Sequence, residues 1–354
     1  MIHFRYFKHD LQFAFDAKTS RGAIKTHAAY IVEASDYANP MRIGYGEAAP
    51  LLGLSIDAVP EFERHLTSFL NQLNEGVPVE LLMLADFPSI YFGIETALLD
   101  LQQGGKRILF NSDFIRGQAI PINGLVWMNA LEPMLQEAQE KVNQGFDCIK
   151  FKIGAHDFDA ECRMLEKFRK INSPSKVQIR LDANGAFNKD DAYAKLKELR
   201  RFEVHSIEQP IAPKQFDAMA KLCKDASLAI ALDEELIGIQ TKEEKEALLK
   251  LLKPAFIILK PTLIGGLAMA DNWIQIAEKL NINWWSTSAL ESNIGLNAIA
   301  QWVATKACKL PQGLGTGALY LNNFNSPLFV KNGHLYSAEN KPWKIERSLM
   351  KEHD

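Results

Sequence analysis

The strongest constraint in this chain is a series of short apolar segments that alternate with amphipathic ones from Pro121 onward. The apolar segments have the length of β-strands, and the segments between them have the period of helices. Strands that alternate with helices pair in parallel, and seven or eight such units close into a barrel. The predicted strands are residues 122–127, 147–153, 177–182, 205–209, 228–233, 256–260 and 282–288, with a short last segment near 313–317.

The first part of the chain follows a different pattern. Alternating, aromatic-rich segments (HFRYFKH, LQFAF and THAAYIVEA) predict strands, and two amphipathic segments predict helices near residues 56–74 and 89–103. We therefore predict an α/β fold: a (β/α)7β-type TIM barrel over residues 118–320 with an N-terminal α+β capping domain over residues 1–117. The tail, residues 321–354, lacks the barrel pattern and is expected to complete the capping domain. Within the barrel, Gly145 is expected to follow the first helix, and Asn188 is predicted as an N-cap.

The composition excludes several classes of protein. Hydrophobic residues make up 47% and charged residues 23% of the 354 residues, as in globular proteins. The net charge of −3 offers no basic surface for a nucleic-acid backbone. No CxxC pair occurs, which argues against a zinc or disulfide framework, and the N-terminus lacks an apolar signal core. We expect a cytoplasmic protein with no membrane or nucleic-acid partner; a homo-oligomer is compatible with the sequence, but nothing indicates one.

Charged residues stand at the ends of five consecutive predicted strands. Parallel barrel strands are buried on both faces and should be apolar throughout, so charges at their ends need a reason. From Lys152 onward, neighbouring positions are 25 to 30 residues apart, which is one barrel unit, so all lie at the same rim. That rim is where this fold builds active sites. The residues are Lys150, Lys152, Asp182, Glu208, Asp233 and Lys260.

The three carboxylates among these residues predict a metal site. Asp182, Glu208 and Asp233 on adjacent strand ends would repel each other unless a cation lay between them. Oxygen ligands with room for water suit Mg²⁺, with Mn²⁺ as a substitute. Lys150 and Lys152 are two residues apart and so point the same way, into the barrel, with Lys260 opposite. We expect neighbouring cations to lower the pKa of these lysines, which would provide a neutral amine as a base.

Taken one at a time, these residues have simpler explanations. A KxK pair is usually a solvated strand end, a lone aspartate after a strand is often a helix N-cap, and EQP can be a turn. Structural ion pairs could account for the whole set, but a rim of unpaired charges has no stabilising function. A Schiff-base aldolase that uses Lys260 is a rival function, yet it leaves the carboxylates unexplained. A barrel that only binds its ligand is a further rival.

At these positions the sequence resembles the enolase superfamily, in its muconate lactonising subgroup, over essentially the whole chain. The matching segments are IKFKIG, RLDANGAF, SIEQP, LDEEL, ILKP with TLIGG, and GEAAPLLG in the first domain. The resemblance implies that Mg²⁺, held by Asp182, Glu208 and Asp233, binds the carboxylate of a small-molecule substrate and stabilises the enediolate formed by removal of the α-proton. The mandelate racemase pattern requires a histidine at the end of the sixth or seventh strand, and this sequence has none at either position. Lys260 instead matches the two-lysine subgroup.

Within the subgroup, the segments TSRG, PINGLVW and STSALESNIGLNAIAQ are most similar to a dehydratase of menaquinone biosynthesis. The resemblance implies a syn elimination of water from a hydroxycyclohexadiene carboxylate that carries a succinyl group. Lys152 would serve as both base and acid, Lys260 as a cation beside the dianion, and Lys150 as a neighbour of the substrate carboxylate. The alternative is an N-succinylamino acid racemase or a dipeptide epimerase, in which Lys152 and Lys260 act on opposite faces.

Further residues are predicted around this centre from the resemblance and from their positions. Arg180 is expected to orient Lys152 or a metal ligand, with a plain ion pair as the alternative, and Asn184 and Glu234 are expected to support the site. Trp284 and Trp285 are expected in the core. The predicted substrate contacts are Ser20, Arg21, Leu54, Ser286, Ser288, Ser292, Gly315 and Gly317. For Leu54, simple packing of its loop is the alternative.

Overall fold

The computed structural model describes residues 2–19, 22–346 and 351–352. In that part of the chain, the N-terminal domain is an antiparallel sheet of four strands, in the order β14-β1-β2-β3, packed on two helices. The strands are β1 (Ile2–Thr19), β2 (Gly22–Asp36), β3 (Asn39–Ala48) and β14 (Lys351–Glu352). The helices are α1 (Phe62–Asn74) and α2 (Pro88–Gln102).

Successive side chains of β1 point to opposite faces of the sheet, which explains why the sheet lies between two hydrophobic cores. Phe4 and Tyr6 point to one face and pack with α1 and α2. Phe7 and Leu11 point to the other face and pack against the barrel. The helix predicted from residue 56 begins only at Phe62, because residues 51–61 form turns at the mouth of the barrel.

A parallel sheet of seven strands, in the order β11-β10-β9-β8-β7-β6-β5, forms the barrel in the described residues and confirms the predicted fold class. Residues 312–313 close the ring as a short eighth segment: Asn123 N donates to Gln312 O (2.9 Å) and Gly313 N donates to Ser286 O (2.8 Å). The strands are β5 (Gly124–Val126), β6 (Cys148–Lys152), β7 (Gln178–Asp182), β8 (Ser206–Glu208), β9 (Ile230–Leu232), β10 (Phe256–Leu259) and β11 (Asn283–Ser286).

Eight α-helices of the described residues surround these strands. Gly145 has a φ of +89° just past the first of them, as expected of a glycine after a helix. Asn188 has the hydrogen bonds expected of an N-cap: its carbonyl accepts from Ala192 N (2.9 Å) and its side chain accepts from Asp190 N (3.0 Å). A turn separates it from α5, which begins only at Ala192. The helices are α3 (Leu131–Asn143), α4 (Phe158–Ile171), α5 (Ala192–Leu199), α6 (Phe216–Asp225), α7 (Lys242–Leu252), α8 (Pro261–Ile264), α9 (Gly266–Lys279) and α10 (Asn293–Ala304).

The residues after 320 contact both domains. Leu321 N donates to Gln12 O (2.9 Å), and β14 pairs with β1. In contrast, β13 (His334–Ser337) pairs with β4 (Ile120–Pro121), which directly precedes the first strand of the barrel. The domain limits at 117/118 and 320/321 therefore stay a prediction. No helix of the described residues is long and apolar enough to cross a membrane. The remaining strands are β4 (Ile120–Pro121), β12 (Leu328–Lys331) and β13 (His334–Ser337).

Candidate active site

The barrel brings the six charged residues at its strand ends together. The register pairs Lys152 with Asp182 and Asp182 with Glu208 on neighbouring strands. Lys150 Nζ lies 3.0 Å from Asp182 Oδ2 and also hydrogen-bonds Glu208. Lys152 Nζ lies 3.1 Å from the same aspartate oxygen. Lys260 Nζ pairs with Asp233 and lies 4.0 Å from Glu208 Oε1, so lysines approach the carboxylates from both sides.

Burial and mutual charge shift the pKa values of this cluster. Each of the three carboxylate residues is at most 2% exposed. Burial raises the pKa of Glu208 well above its ordinary value, and the charges of Asp182 and Asp233 add to that effect. Burial also acts on Asp182, but the ammonium groups around it, first that of Lys150, outweigh burial and hold its pKa far below the ordinary range.

The same charges act on the lysines in the direction opposite to the sequence expectation. Burial lowers the pKa of Lys150, but Asp182 and Glu208 outweigh burial and raise it. Burial likewise lowers the pKa of Lys260, and the charge of Asp233 more than reverses that effect. The sequence prediction assumed that other cations lie nearest to these lysines, whereas in the fold the nearest charges are carboxylates.

The donor chemistry of the cluster fits a divalent cation. Three buried carboxylates supply the hard oxygen ligands that Mg²⁺ prefers. Glu208 Oε1 is buried and accepts no hydrogen bond from any described residue. As the side chains stand, the described residues contain no group of three His, Cys, Asp or Glu side chains arranged to hold a metal. The ammonium groups of Lys150 and Lys260 contact the carboxylate oxygens instead, so a metal would require these lysines to shift.

A cavity of about 340 Å³ lies over this cluster. Its volume is in the range of small-molecule sites. The polar part of its lining includes residues of the charged cluster and several other polar side chains: Lys150, Lys152, Lys260, Asp182 and Asn184, with Asn123, Lys141, Gln144, Thr287, Ser288 and Thr316. The apolar part includes Leu51, Leu54, Trp127, Leu290 and Leu319, contributed by both domains. The cavity therefore offers charge at its floor and apolar surface at its walls.

Only some of the predicted substrate contacts line this cavity: Leu54, Ser288 and Gly315 do. The predictions for three others are corrected. Ser286 is buried and donates its hydroxyl to Leu259 O (3.0 Å) on the neighbouring strand, so it does not line the cavity. Ser292 caps α10 and accepts from Ile294 N (3.1 Å).

The third correction concerns Gly317. This glycine packs against α10, where an added Cβ would lie 2.9 Å from Asn293 Oδ1, so it also lies away from the cavity lining. Ser20 and Arg21 fall outside the described residues. No statement about their contacts follows from the structure.

Arg180 does not have its predicted role. It precedes Asp182 by two residues, which places it one layer deeper in the barrel. There its guanidinium stacks on Trp285, with Cζ 3.9 Å from the ring centroid, and donates to Pro311 O (2.7 Å). Within the described residues it forms no ion pair and does not contact Lys152.

Asn184 links two of the predicted residues. Its Oδ1 accepts from Lys152 Nζ (2.7 Å), and its Nδ2 donates to Glu234 Oε1 (3.0 Å). Asn184 has a φ of +44°, a left-handed conformation that asparagine tolerates better than most residues. Lys152 is therefore held by Asp182 and Asn184 together, and the asparagine joins it to Glu234.

Sequence reasoning missed several residues of the cavity lining. Asn123, Leu125 and Trp127 alternate along β5 and the residues beside it, and all three line the cavity. The period-2 pattern of PINGLVW was a usable signal for them. Thr287, Leu290 and Thr316 also line the cavity but lie in loops, where no local pattern marks the direction of a side chain.

Comparison with known proteins agrees with this architecture. Residues 133–342 match the family model "Enolase C-terminal domain-like". The chain is 42% identical to an o-succinylbenzoate synthase of Desulfotalea psychrophila over 93% of this chain and 97% of the relative. It is 24% identical to an L-Ala-D/L-Glu epimerase of Bacillus subtilis over 75% of this chain and 74% of that protein.

A crystal structure of MenC from Desulfotalea psychrophila superimposes with a TM-score of 0.86 at 39% identity, covering 95% of this chain and 99% of that one. The similarity thus extends over both domains, and it includes the capping domain that residues 133–342 leave out. The chain belongs to the enolase superfamily and, within it, to the o-succinylbenzoate synthase family.

Proposed function

We propose that this protein is an o-succinylbenzoate synthase, a hydro-lyase (carbon–oxygen lyase) that depends on Mg²⁺, or on Mn²⁺ as a substitute. It would convert 2-succinyl-6-hydroxy-2,4-cyclohexadiene-1-carboxylate to 2-succinylbenzoate in menaquinone biosynthesis. The observation that carries the proposal is the pair Lys152 and Lys260, which approach one buried carboxylate cluster from two sides under a cavity of suitable size. The 42% identity to an o-succinylbenzoate synthase supports the choice of reaction.

Asp182, Glu208 and Asp233 would hold the metal. A bound Mg²⁺ would supply positive charge beside the substrate carboxylate, where negative charge develops when the α-proton leaves. Lys150, which contacts two of these carboxylates and lines the cavity, would lie next to the same substrate group.

Lys152 would move the proton. A neutral amine has two hydrogens, and Asp182 Oδ2 and Asn184 Oδ1 are placed to accept both of them. Its lone pair then remains for the α-proton of the substrate. The resulting ammonium would return that proton to the departing hydroxyl on the same face. Lys260, on the other side of the cluster, would stay protonated and stabilise the anion by its charge.

The second candidate is an N-succinylamino acid racemase or a dipeptide epimerase. The specific observation in its favour is the same lysine pair, which could remove a proton on one face and return it on the other. The similarity to the Bacillus subtilis epimerase is consistent with this chemistry, at lower identity.

The discriminating experiment is a direct assay of dehydration. The purified protein with saturating Mg²⁺ is mixed with the cyclohexadiene acid, and the loss of diene absorbance is followed, with chelator-treated protein as the control. Parallel incubation of N-succinyl- and N-acyl-L-amino acids and of dipeptides in D₂O tests the second candidate. Rapid, metal-dependent aromatisation supports the proposal. Inverted, deuterium-labelled product without aromatisation would instead show that the protein is a racemase or an epimerase.

A further inference from the structure

One wall of the cavity has a strained backbone. Residues 287–290, between β11 and α10, line the cavity, and Leu290 has a φ of +70°. A left-handed conformation is strained for a residue that carries a side chain. Leu290 still directs its side chain to the apolar cluster formed with Leu51 and Trp127. Such a conformation persists only where the surroundings hold it in place.

The carboxylate of Glu291 holds this wall. It is completely buried, and one of its oxygens accepts from the Ser288 hydroxyl and from Ala289 N (2.8 Å). The other oxygen accepts from the hydroxyl of Thr262, which is also completely buried. Thr262 follows Lys260 by two residues. One side chain therefore ties the cavity wall to the segment that carries Lys260.

A second buried carboxylate supports the first from the capping domain. Glu47, at the end of β3, accepts from Ser292 N (2.8 Å) and Gly295 N (2.8 Å) at the start of α10. An added Cβ at Gly295 would lie 2.7 Å from Glu291 Cβ and 3.0 Å from Glu47 Oε2, so the two side chains pack against this glycine. Neither glutamate forms an ion pair within the described residues. Buried carboxylates without a cation are costly, and here their hydrogen bonds all go to one loop and its neighbours.

The hydrogen bonds of Ser288 decide what this wall can bind. Its single hydroxyl proton is donated to Glu291, and its oxygen accepts from Leu290 N (3.1 Å). It has no proton left to donate to a substrate carboxylate. The side chains that follow Ser288 at this wall, those of Ala289 and Leu290, are apolar, whereas Thr287, which precedes it, carries a hydroxyl. Positive charge in the cavity lining comes instead from Lys150, Lys152 and Lys260 at the floor and from Lys141 in α3.

We propose that Glu291 is a positioning residue that fixes the wall at Ser288–Leu290 relative to Lys260, and that this wall packs against an uncharged part of the substrate instead of binding one of its carboxylates. The inference rests on the proposed function, because it assigns a part of the same site. For Ser288, it replaces the expectation that the serine side chain contacts the substrate directly.

The test compares kcat and KM of dehydration in four variants, at a temperature well below the lowest Tm of the set. Glu291→Ala removes all the links. Glu291→Gln can keep them, because its oxygen can accept from Ser288 and Ala289 while its amide donates to Thr262. Ser288→Ala removes only the serine hydroxyl. Glu95→Ala is the matched control, since Glu95 is a capping-domain carboxylate that accepts from Leu267 N (2.6 Å) in α9 and does not line the cavity.

The expected result is a loss of about 100-fold in kcat for Glu291→Ala, the size of effect that a misplacement of about 1 Å produces. Glu291→Gln should recover most of that loss, and Glu95→Ala should lower Tm with kcat nearly unchanged. Ser288→Ala should leave KM within about 3-fold of the wild type. Loss of a hydrogen bond to a charged group would instead raise KM by about 10-fold or more.

Two outcomes would overturn the inference: a kcat for Glu291→Ala close to that of Glu95→Ala, or a KM for Ser288→Ala raised about 10-fold. A wild-type protein without dehydratase activity would overturn the proposed function instead. In that case crystal structures of the wild type, Glu291→Ala and Glu291→Gln still decide the positioning role. A wall at residues 288–290 that keeps its place beside Lys260 in Glu291→Ala would refute it.

Discussion

Lysine and carboxylate side chains at the barrel rim balance each other's charge over very short distances. Lys150 contacts Asp182 and Glu208, and Lys260 contacts Asp233. Removing one member of a buried group like this leaves an uncompensated charge, so a substitution affects more than the residue it changes. Activity and metal affinity must therefore be measured separately in each variant.

Lys152→Ala should abolish the proton transfer that we propose. General acid–base groups contribute about 10²–10⁴-fold to the rate, so kcat should fall by at least that range while Mg²⁺ affinity changes little. The rate comes from the dehydration assay, and the affinity from isothermal titration with MgCl₂. Lys167→Ala is the control, because Lys167 is an exposed lysine on the outer surface of the barrel. A kcat within threefold of that control would contradict the role.

Asp233→Asn should weaken the binding of Mg²⁺. The substitution keeps the size of the side chain but removes its charge and one strong oxygen ligand, so we expect an affinity lower by about tenfold or more. Glu235→Gln is a matched control: this carboxylate is also buried, but it accepts from Gln209 Nε2 (3.0 Å) and Lys214 N (2.7 Å), and within the described residues it pairs with none of the three lysines of the cluster. Equal Mg²⁺ affinity of the two variants, measured by titration calorimetry, would remove Asp233 from the ligand set.

Strand β3 and helix α2 approach each other unusually closely, and glycines make this approach feasible. An added Cβ at Gly44 would lie 2.1 Å from Ala97 O, and one at Gly46 would lie 1.9 Å from Gly93 O. Both partner atoms belong to the backbone of α2 and cannot swing aside. This contact places the end of β3, and with it Glu47, against the start of α10.

Gly46→Ala should therefore lower the free energy of unfolding by roughly 3 kcal/mol, at the upper end of the usual cost of overpacking. Gly76→Ala separates this effect from backbone strain, because Gly76 has a φ of +92° but no atom within 4 Å of an added Cβ. The control should lose only about 1 kcal/mol. Urea titration of both variants measures the difference, and equal losses would show that the close approach is not what limits position 46.

Two carboxylates of the capping domain join it to the barrel by accepting backbone N–H groups of barrel helices. Glu47 accepts from Gly295 N in α10, and Glu95 accepts from Leu267 N and Ala268 N in α9. Burial, only partly offset by these hydrogen bonds, raises the pKa of both carboxylates to about 7. Glu291 adds negative charge near Glu47, and Asp271 does so near Glu95.

These pKa values predict how stability depends on pH. The ordinary value is 4.5, so between about pH 4.5 and 7 the folded state binds protons that the unfolded state has released. The contribution of these groups to stability is thus present at the acidic end and is lost as pH rises towards 7, by up to about 1.4 kcal/mol per pH unit for each group. Glu47→Gln/Glu95→Gln removes both titrations.

The test is urea unfolding of the wild type and of this double variant from pH 5 to pH 8. The stability of the variant relative to the wild type should increase with pH across the window from about 4.5 to 7. A difference that stays constant, or that changes in the opposite direction, would show that these carboxylates are ionised throughout the range in the folded protein.

The sequence by itself determined the barrel and the meeting point of its charged residues. Apolar strands that recur every 25 to 30 residues, each ending in a lysine or a carboxylate, leave little choice of fold and little choice of where the charged residues meet. Parallel strands present their carboxyl ends at one rim, so residues 150, 152, 182, 208, 233 and 260 had to meet there. The depth of Arg180 in the barrel, in contrast, does not follow from the sequence. The alternation of side chains along a strand gives the direction of each one but not the layer of the barrel in which it finds a partner.

Only the tertiary structure decided which serines face the cavity and what sign the lysine pKa shifts have. The Ser286 hydroxyl donates to Leu259 O on the neighbouring strand, and the Ser292 hydroxyl donates to a carboxylate 245 positions away in the chain. The pKa shifts of Lys150 and Lys260 depend on distances of a few ångströms to carboxylates on other strands. Hydrophobic periodicity is a local property that a sequence records directly, whereas hydrogen bonds and charge pairs depend on distances between remote segments, which exist only once the chain has folded.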